Sequence, residues 1–325
     1  MTGATGVIGS SLVPRLLADG ADVVCLVRDL LPRSGLRLGG YQDKVTVVQG
    51  ALEDYPSLER IIGEYEVESV FHLGAQTIVG IADRSPLATF EANIRGTWHV
   101  LEAARVHAPA VGRIVVASSD KAYGDHGPRP YTERMALEGR HPYDVSKSCA
   151  DLLARAYAHT YGLPVAVARC GNVYGGGDLN FSRIVPGTIR SVIEGRRPVI
   201  RGDGSHVRDY LYVDDAVDAY LTLARALDAD GRRVRGQAFN FSSGSPLTVL
   251  EMTGRILDLM GRPDLEPIVL GQARGEIPYQ RLCTAKAERL LGWYPRVGLE
   301  EGLRRTIDWY RRYFGCLTPG GTLRD

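Results

Sequence analysis

The chain has 325 residues, 44% of them hydrophobic and 24% charged, ordinary usage for a globular protein long enough to build two lobes around one core. A formal net charge of +1 gives no field for holding a polyanion, which argues against nucleic-acid binding. No apolar run reaches the ~18 residues of a membrane span, and no basic segment followed by an apolar stretch marks a signal peptide, so a cytoplasmic protein with no membrane partner is expected.

At the N-terminus, Thr2-Gly3-Ala4-Thr5-Gly6-Val7-Ile8-Gly9 is a glycine-rich turn opening a predicted helix, Ile8–Ala18. In this spacing Gly3 permits a tight turn, Gly6 lets a pyrophosphate approach the backbone, and Gly9 allows close helix packing. The helix N-terminus adds N–H donors and a partial positive charge. A purely structural turn is the alternative; a dinucleotide held by Gly3, Thr5, Gly6, Val7, Ile8 and Gly9 is the reading. Such a turn normally follows a strand, yet the sequence starts at Met1. The first, central strand is therefore missing or reduced to one residue, and the native frame is expected to start upstream.

Short β-branched runs follow at Val23–Val27, Val45–Val48, Ser69–Leu73, Arg113–Ser118 and Val165–Arg169, alternating with helical periods at Pro56–Tyr65, Ala88–Val106 and Ser146–Tyr161. This alternation predicts an α/β, Rossmann-like doubly wound parallel sheet with helices on both faces and ligands at the strands' carboxyl ends. Beyond Arg169 the pattern becomes mixed and rich in Gly and Pro, with helices at Thr248–Met260 and Leu299–Phe314. A smaller substrate lobe is expected from residues 172–208 plus about 239–314, interleaved with a dinucleotide domain of 1–171 plus about 209–238. The tail, 315–325, has little to bury and is expected to be disordered.

At the end of the second predicted strand, Arg28 favours the 2′-phosphate of NADP while Asp29 is within reach of the ribose of NAD, so either cofactor is compatible. Arg28 lying along the sheet edge is the simpler alternative. The five cysteines, Cys25, Cys149, Cys170, Cys283 and Cys316, lack the paired spacing of a disulfide framework or a zinc site, and no metal is expected. Lysine occurs only at Lys44, Lys121, Lys147 and Lys286 in a chain that otherwise uses arginine. Unlike arginine, a lysine can be tuned to lose its proton.

Two of those lysines sit in chemistry-bearing stretches. The strand Val115–Ser118 turns polar at Ser119-Asp120-Lys121, and Tyr143-Asp144-Val145-Ser146-Lys147 follows on a predicted helix. Positions i and i+4 share a helix face, so Lys147 stands beside Tyr143 and its ammonium would lower the phenol from ~10. The tyrosine could then take a hydroxyl proton as hydride leaves, with Ser119 bonding the same hydroxyl. Adjacent Asp120 and Lys121 suit an acid and a base with opposed duties. A neutral Lys121 requires roughly 4 kcal/mol from its surroundings, and a neighbouring carboxylate works against it. A structural salt bridge to Asp120 is the alternative for Lys121.

In order, Thr-Gly-x-x-Gly-x-x-Gly, Phe71-His72-Leu73-Gly74-Ala75-Gln76, Asn93 before Gly96-Thr97, Ser119-Asp120-Lys121-x-Tyr123-Gly124 and Tyr143-x-x-x-Lys147 resemble the extended short-chain dehydrogenase/reductases of the NAD-dependent epimerase/dehydratase family. The resemblance runs from Thr2 to about Phe314. It looks nearest to nucleotide-sugar 4,6-dehydratases, above all those of CDP-glucose, through Ser119-Asp120-Lys121, Gly171–Asp178 with Arg183-Ile184-Val185-Pro186, and Glu276-x-x-Tyr279 with Lys286 and Leu291-Gly292-Trp293-x-Pro295. Gly74-Ala75-Gln76 and Val27-Arg28 also resemble GDP-mannose 4,6-dehydratase.

The resemblance implies catalytic Ser119, Asp120, Lys121, Tyr143 and Lys147. It also implies cofactor contacts at Arg28, Ala51, Leu52, Leu73, Ala75 and Asn93, and substrate contacts at Gln76, Asn172, Arg183, Arg208 and Glu276. An arginine fork suits phosphate oxygens, although Arg208 could instead pair with Asp209 or Asp214. Asn240 is expected to shape the lobe junction. Ala51 departs from the pattern, since relatives often carry an aspartate there. The implied reaction is transient oxidation at sugar carbon 4, loss of water across carbons 5 and 6, and return of the hydride. A 4-epimerase would use Ser119, Tyr143 and Lys147 without needing Asp120 and Lys121; a non-catalytic scaffold would usually have lost Tyr143 or Lys147. A homodimer through the helices Ala88–Val106 and Ser146–Tyr161 is also implied.

Overall fold

The computed structural model describes residues 1–272 and 275–315, so the expectation for the tail falls, beyond Gly315, outside the described residues. The alternating β-branched runs form strands close to where the pattern placed them. β1 (Val24–Val27), β2 (Thr46–Gln49), β3 (Ser69–His72), β4 (Arg113–Ala117) and β5 (Val165–Cys170) are short and parallel. β5 is buried along its whole length, as expected for a strand covered on both faces.

Shorter strands follow: β6 (Asn172–Tyr174), β7 (Val199–Ile200), β8 (Val207–Arg208) and β9 (Tyr210–Tyr212). Then come β10 (Ala238–Phe241), β11 (Leu247–Thr248), β12 (Ile268–Val269) and β13 (Tyr279–Gln280). β10 pairs in parallel with β5 throughout, extending the main sheet in the order β10-β5-β4-β3. The remaining strands form small sheets, β6 with β9, β7 with β12, and β8 between β11 and β13.

Between β3 and β1 the sheet is bridged by Thr2 alone, which pairs with both Leu26 and His72. Its amide donates to Phe71 O and its carbonyl accepts from Leu73 N, while Met1 O accepts from Leu26 N. The Thr2 hydroxyl bonds His72 Nδ1, and His72 Nε2 bonds Thr97 Oγ1. Burial holds the His72 imidazole neutral, its pKa lowered to about 3.

The helices Val7–Ala18, Tyr55–Glu64, Pro142–Tyr161, Val249–Leu259 and Leu299–Gly315 match their predicted spans to within a few residues. One expectation is corrected. Ala88–Val106 is not a continuous α-helix but Pro86–Phe90, a π-helical turn Glu91–Arg95, and Gly96–Val106. The cause is Asn93: its side chain turns inward to accept from Gln76 N at 2.7 Å and to donate to Ser146 Oγ at 2.8 Å. A π turn inside an α-helix is rare and is frequently found at functional sites.

Two apolar layers sandwich the main sheet. One gathers Leu12, Phe71, Val115, Leu211, Tyr220, Phe239 and Phe241; the other gathers Leu58, Val70, Leu101, Ile114, Val116 and Val165. A third cluster around Tyr174, Ile189, Met252 and Tyr310 supports the small sheets. Among the described residues no helix is long and apolar enough to cross a membrane.

Candidate active site

The glycine turn is shaped for a close-approaching ligand. Gly3 has φ +74°, and a Cβ there would stand 2.7 Å from the Leu73 and Gly74 backbone. A Cβ on Gly9 would meet Gly3 O at 2.1 Å, so glycine is required for the turn to fold against its own helix. Gly6 caps the helix Val7–Ala18 without any side-chain bond, leaving first-turn N–H groups for an anion. Thr5, Val27, Leu30, Leu31 and Ser34 line a small depression beside the end of β1. These residues fit a dinucleotide, with the pyrophosphate on the turn and the adenosine towards β1.

Other expected cofactor contacts surround that turn with uneven freedom. Leu52 packs against Gly74 and Gly96. The Ala51 carbonyl accepts from Asp54 N, and Asp54 caps the helix Tyr55–Glu64. Asn93 is fully engaged by Gln76 and Ser146, so it fixes the Leu73–Gln76 loop against the helix Pro142–Tyr161. Arg28 is exposed and bonds Asp29 at 2.7 Å. The two residues between which the cofactor choice was divided thus engage each other.

Tyr143 and Lys147 both lie buried in the first turns of the helix Pro142–Tyr161. Their electrostatics differ from the expectation. The Lys147 ammonium donates to Ala117 O at 2.9 Å, and burial lowers it to about 8. Burial pushes the Tyr143 phenol up to about 12; the influences that oppose this are the Arg183 charge and a hydrogen bond with Ser119. Lys147 Nζ therefore ties the helix to the end of β4.

The strand-end turn places Asp120 and Lys121 in a tight 3₁₀ segment, Asp120–Tyr123, capped by Ser119. Ser119 Oγ donates to Asp120 Oδ1 at 2.9 Å and accepts from Lys121 N at 3.2 Å. The expected alternative for Lys121, an ion pair with Asp120, is not formed. Its Nζ donates instead to Gln280 Oε1 at 2.8 Å. Burial raises the Asp120 carboxyl above its ordinary value, against the opposing pull of Lys121. Burial also lowers the Lys121 amine, reinforced by the nearby Arg208 charge and opposed by Asp120. Desolvation thus outweighs the neighbouring charges, raising the Asp120 carboxyl and lowering the Lys121 amine from their ordinary values.

A buried network braces this turn from behind. Arg169 on β5 forms a two-pronged pair with Asp151, at 2.7 and 2.8 Å, and donates to the Tyr123 hydroxyl at 2.8 Å. Tyr123 donates to Asn240 Oδ1 at 2.7 Å, and Asn240 donates to Tyr131 O at 2.9 Å. Asn240 thus joins β10 to the loop beneath the turn.

The expected substrate residues divide. Asn172, the first residue of β6, has a buried side-chain Nδ2 with no partner. Arg183 is half exposed, pairs with Asp178 at 2.9 Å and bonds Thr77 Oγ1 at 3.3 Å. Arg208 pairs with neither Asp209 nor Asp214; it donates to Glu276 Oε2 at 3.2 Å and to the carbonyls of Val207 and Ile277. Gln76 is a loop anchor through Asn93 and Ile78. Gln280 and Thr77 escaped sequence reasoning, because neither type carries a chemical signature and both are placed by long-range pairing.

Residues 1–240 match the model of the NAD dependent epimerase/dehydratase family, and the chain belongs to that family. It is 36% identical over 326 residues to a dTDP-glucose 4,6-dehydratase of Streptomyces antibioticus, covering 96% of this chain and 91% of that one. A UDP-glucose 4-epimerase of Mycolicibacterium smegmatis is 33% identical, covering 96% and 97%. The solved dTDP-glucose 4,6-dehydratase of Streptomyces venezuelae with NAD bound superposes with a TM-score of 0.86 at 31% identity, covering 97% of each chain.

Proposed function

We propose that this protein is an NAD-dependent nucleotide-sugar 4,6-dehydratase, a lyase that converts an NDP-hexose to the 4-keto-6-deoxy sugar. The observation that carries this reading is the pair Asp120 and Lys121. Asp120 is buried and Lys121 half-buried, and desolvation raises the carboxyl and lowers the amine from their ordinary values. An epimerase has no use for such a pair, whereas removing water across two carbons needs one group that takes a proton and one that gives it.

When bound, NAD supplies the hydride acceptor of the first stage and the hydride donor of the last. Tyr143, close to Ser119 at the β4 end, accepts the proton of the carbon 4 hydroxyl as its phenolate, the form that the Arg183 charge and the Ser119 hydrogen bond favour against burial. The ketone so formed acidifies the hydrogen on carbon 5, which the Lys121 amine removes. Asp120 protonates the carbon 6 hydroxyl as it leaves as water. Arg183, Asn172 and Arg208 line the route from this turn into the small sheets, where the nucleotide diphosphate is placed; that lobe comprises 172–208 and about 239–314. The dinucleotide domain comprises 1–171 and about 209–238, and its sheet is extended by β10, which the first residues of the lobe's second segment contribute.

The sequence motifs favour a CDP-glucose-like substrate, and the relative at 36% identity is named for dTDP-glucose. A 4-epimerase is the second reading, supported by the M. smegmatis relative. Incubation with dTDP-glucose, CDP-glucose and UDP-glucose followed by product mass separates the readings. Loss of one water supports the dehydratase; unchanged mass with altered retention overturns it for the epimerase; absence of turnover on all three leaves a scaffold. We further propose a cytoplasmic homodimer, since Leu87, Trp98, Leu152 and Tyr161 are exposed on the segments Pro86–Phe90, Gly96–Val106 and Pro142–Tyr161. Sedimentation of Leu152→Arg against the parent chain tests it, a shift to monomer being expected.

A further inference from the structure

The base assigned to Lys121 is held by one side chain, and that side chain comes from a distant part of the chain. Lys121 Nζ donates to Gln280 Oε1 at 2.8 Å across 159 positions of sequence. Gln280 is completely buried, and its Nε2 has no partner. Its backbone is fixed on both sides. Gln280 faces Arg208 in the β8–β13 register, its carbonyl accepts from Asp209 N at 3.1 Å, and Leu282 N is held by the Asp209 carboxylate at 2.5 Å. The amide can therefore move little, and neither can the amine it holds.

We propose that Gln280 is a positioning residue for the Lys121 base, fixing the amine in the Asp120 turn through an acceptor that adds no charge. The proposal rests on the dehydratase reading. Its chemistry follows from what an amide can do. The oxygen accepts a hydrogen from either an ammonium or an amine. The same partner thus serves Lys121 before and after it takes a proton. A carboxylate in that place would bind the ammonium strongly and keep the proton on it.

The surrounding charges make this neutrality consequential. The groups acting on Lys121 are Arg208, which favours the amine, and Asp120, Asp144 and Glu276, which favour the ammonium. Glu276 is itself bonded to Arg208 at 3.2 Å. A further fixed negative charge at 280, within hydrogen-bond reach of Nζ, would tilt this balance towards the ammonium.

The test uses the full chain, loaded with NAD, on dTDP-glucose and CDP-glucose. Gln280→Glu, nearly the same shape, should move the acid limb of the kcat–pH profile upward by about one unit or more. It should lower turnover at pH 7 by about tenfold or more and recover at higher pH. Gln280→Leu should slow carbon 5 exchange in D₂O by roughly 10- to 100-fold, while the transient reduced-nicotinamide absorbance still forms. A Gln280→Glu profile that overlays the parent's overturns the proposal. So does an equal loss of both the absorbance transient and exchange in Gln280→Leu, which marks a merely structural residue. A parent chain that removes no water from either sugar instead overturns the dehydratase reading, and this proposal falls with it.

Discussion

The helix pair Tyr143–Lys147 is buried, the strand-end pair joins a buried Asp120 to a half-buried Lys121, and both set a lysine beside an acidic hydrogen, yet they are built in different ways. In the first, both residues stand on one helix, and the lysine's bond goes to a backbone carbonyl on the adjacent strand. In the second, the residues are neighbours in a tight turn, and the lysine's partner arrives from β13. Ala117 O offers the same bond whatever residue stands at 117. Gln280 can be altered in charge and shape by one substitution. The first arrangement is therefore robust and suited to a step shared across the family, while the second is tunable and suited to the step that distinguishes one product from another.

The sharpest way to separate the two pairs is to remove the proton acceptor of one and the proton donor of the other. Tyr143→Phe should lower turnover by about 10³-fold or more and abolish the reduced-nicotinamide transient, since oxidation itself fails. Asp120→Asn should lower product formation by roughly 10²- to 10³-fold yet leave the transient visible, because an amide cannot protonate the departing hydroxyl. Stopped-flow absorbance alongside product mass checks both. Loss of the transient in Asp120→Asn would show that the two pairs act on one step and would undo the contrast.

Smaller but more diagnostic is the response to pH. Lys147 is useful as an ammonium, and burial brings it down to about 8. Its charged form declines as pH rises through that value. Lys121 is useful as an amine, and burial lowers it from its ordinary value. Its active form declines as pH falls. The two lysines thus set opposite limbs of one bell, Lys147 the alkaline and Lys121 the acid. Lys147→Arg, whose guanidinium does not titrate in this range, should flatten the alkaline limb, where activity otherwise falls up to about tenfold per unit. An alkaline limb retained in Lys147→Arg would assign that limb to another group.

The same contrast explains what could be read in advance. The Tyr143–Lys147 pairing is a matter of helical period, and the glycine turn is a matter of local backbone, so both were visible in the sequence. The parallel sheet followed from β-branched runs separated by helical stretches, with strand ends within a few residues. The π turn at Glu91–Arg95 was not visible, because it arises from Asn93 reaching Gln76 and Ser146, one after a strand and one on another helix. Gln280 was hidden for the same reason. The motif Glu276-x-x-Tyr279 ends one residue before it, and only the pairing of β13 with β8 brings its amide to Lys121. The question whether Asp120 or burial governs Lys121 also needed the fold, since desolvation is a property of everything packed around a group.

The smallest effect belongs at the far end of the cofactor site, where a charged residue was expected to choose between NAD and NADP. The Arg28 and Asp29 side chains are 69% and 56% exposed, and they bond each other at 2.7 Å. An exposed pair of this kind contributes about 0–1 kcal/mol, and side chains so free can turn towards or away from a ribose at little cost. Arg28→Ala should therefore change thermal stability by less than about 1 kcal/mol. Removing the guanidinium also frees the Asp29 carboxylate, which favours a ribose hydroxyl and opposes a 2′-phosphate. The variant should bind NAD equally or slightly more tightly and NADP about two- to tenfold more weakly, with kcat on bound cofactor unchanged. Titration of both dinucleotides against the parent and Arg28→Ala measures this. A large gain for NADP would mean that the guanidinium blocks the 2′-position instead of attracting it, and the choice of cofactor would then rest on the depression formed by Thr5, Val27 and Ser34.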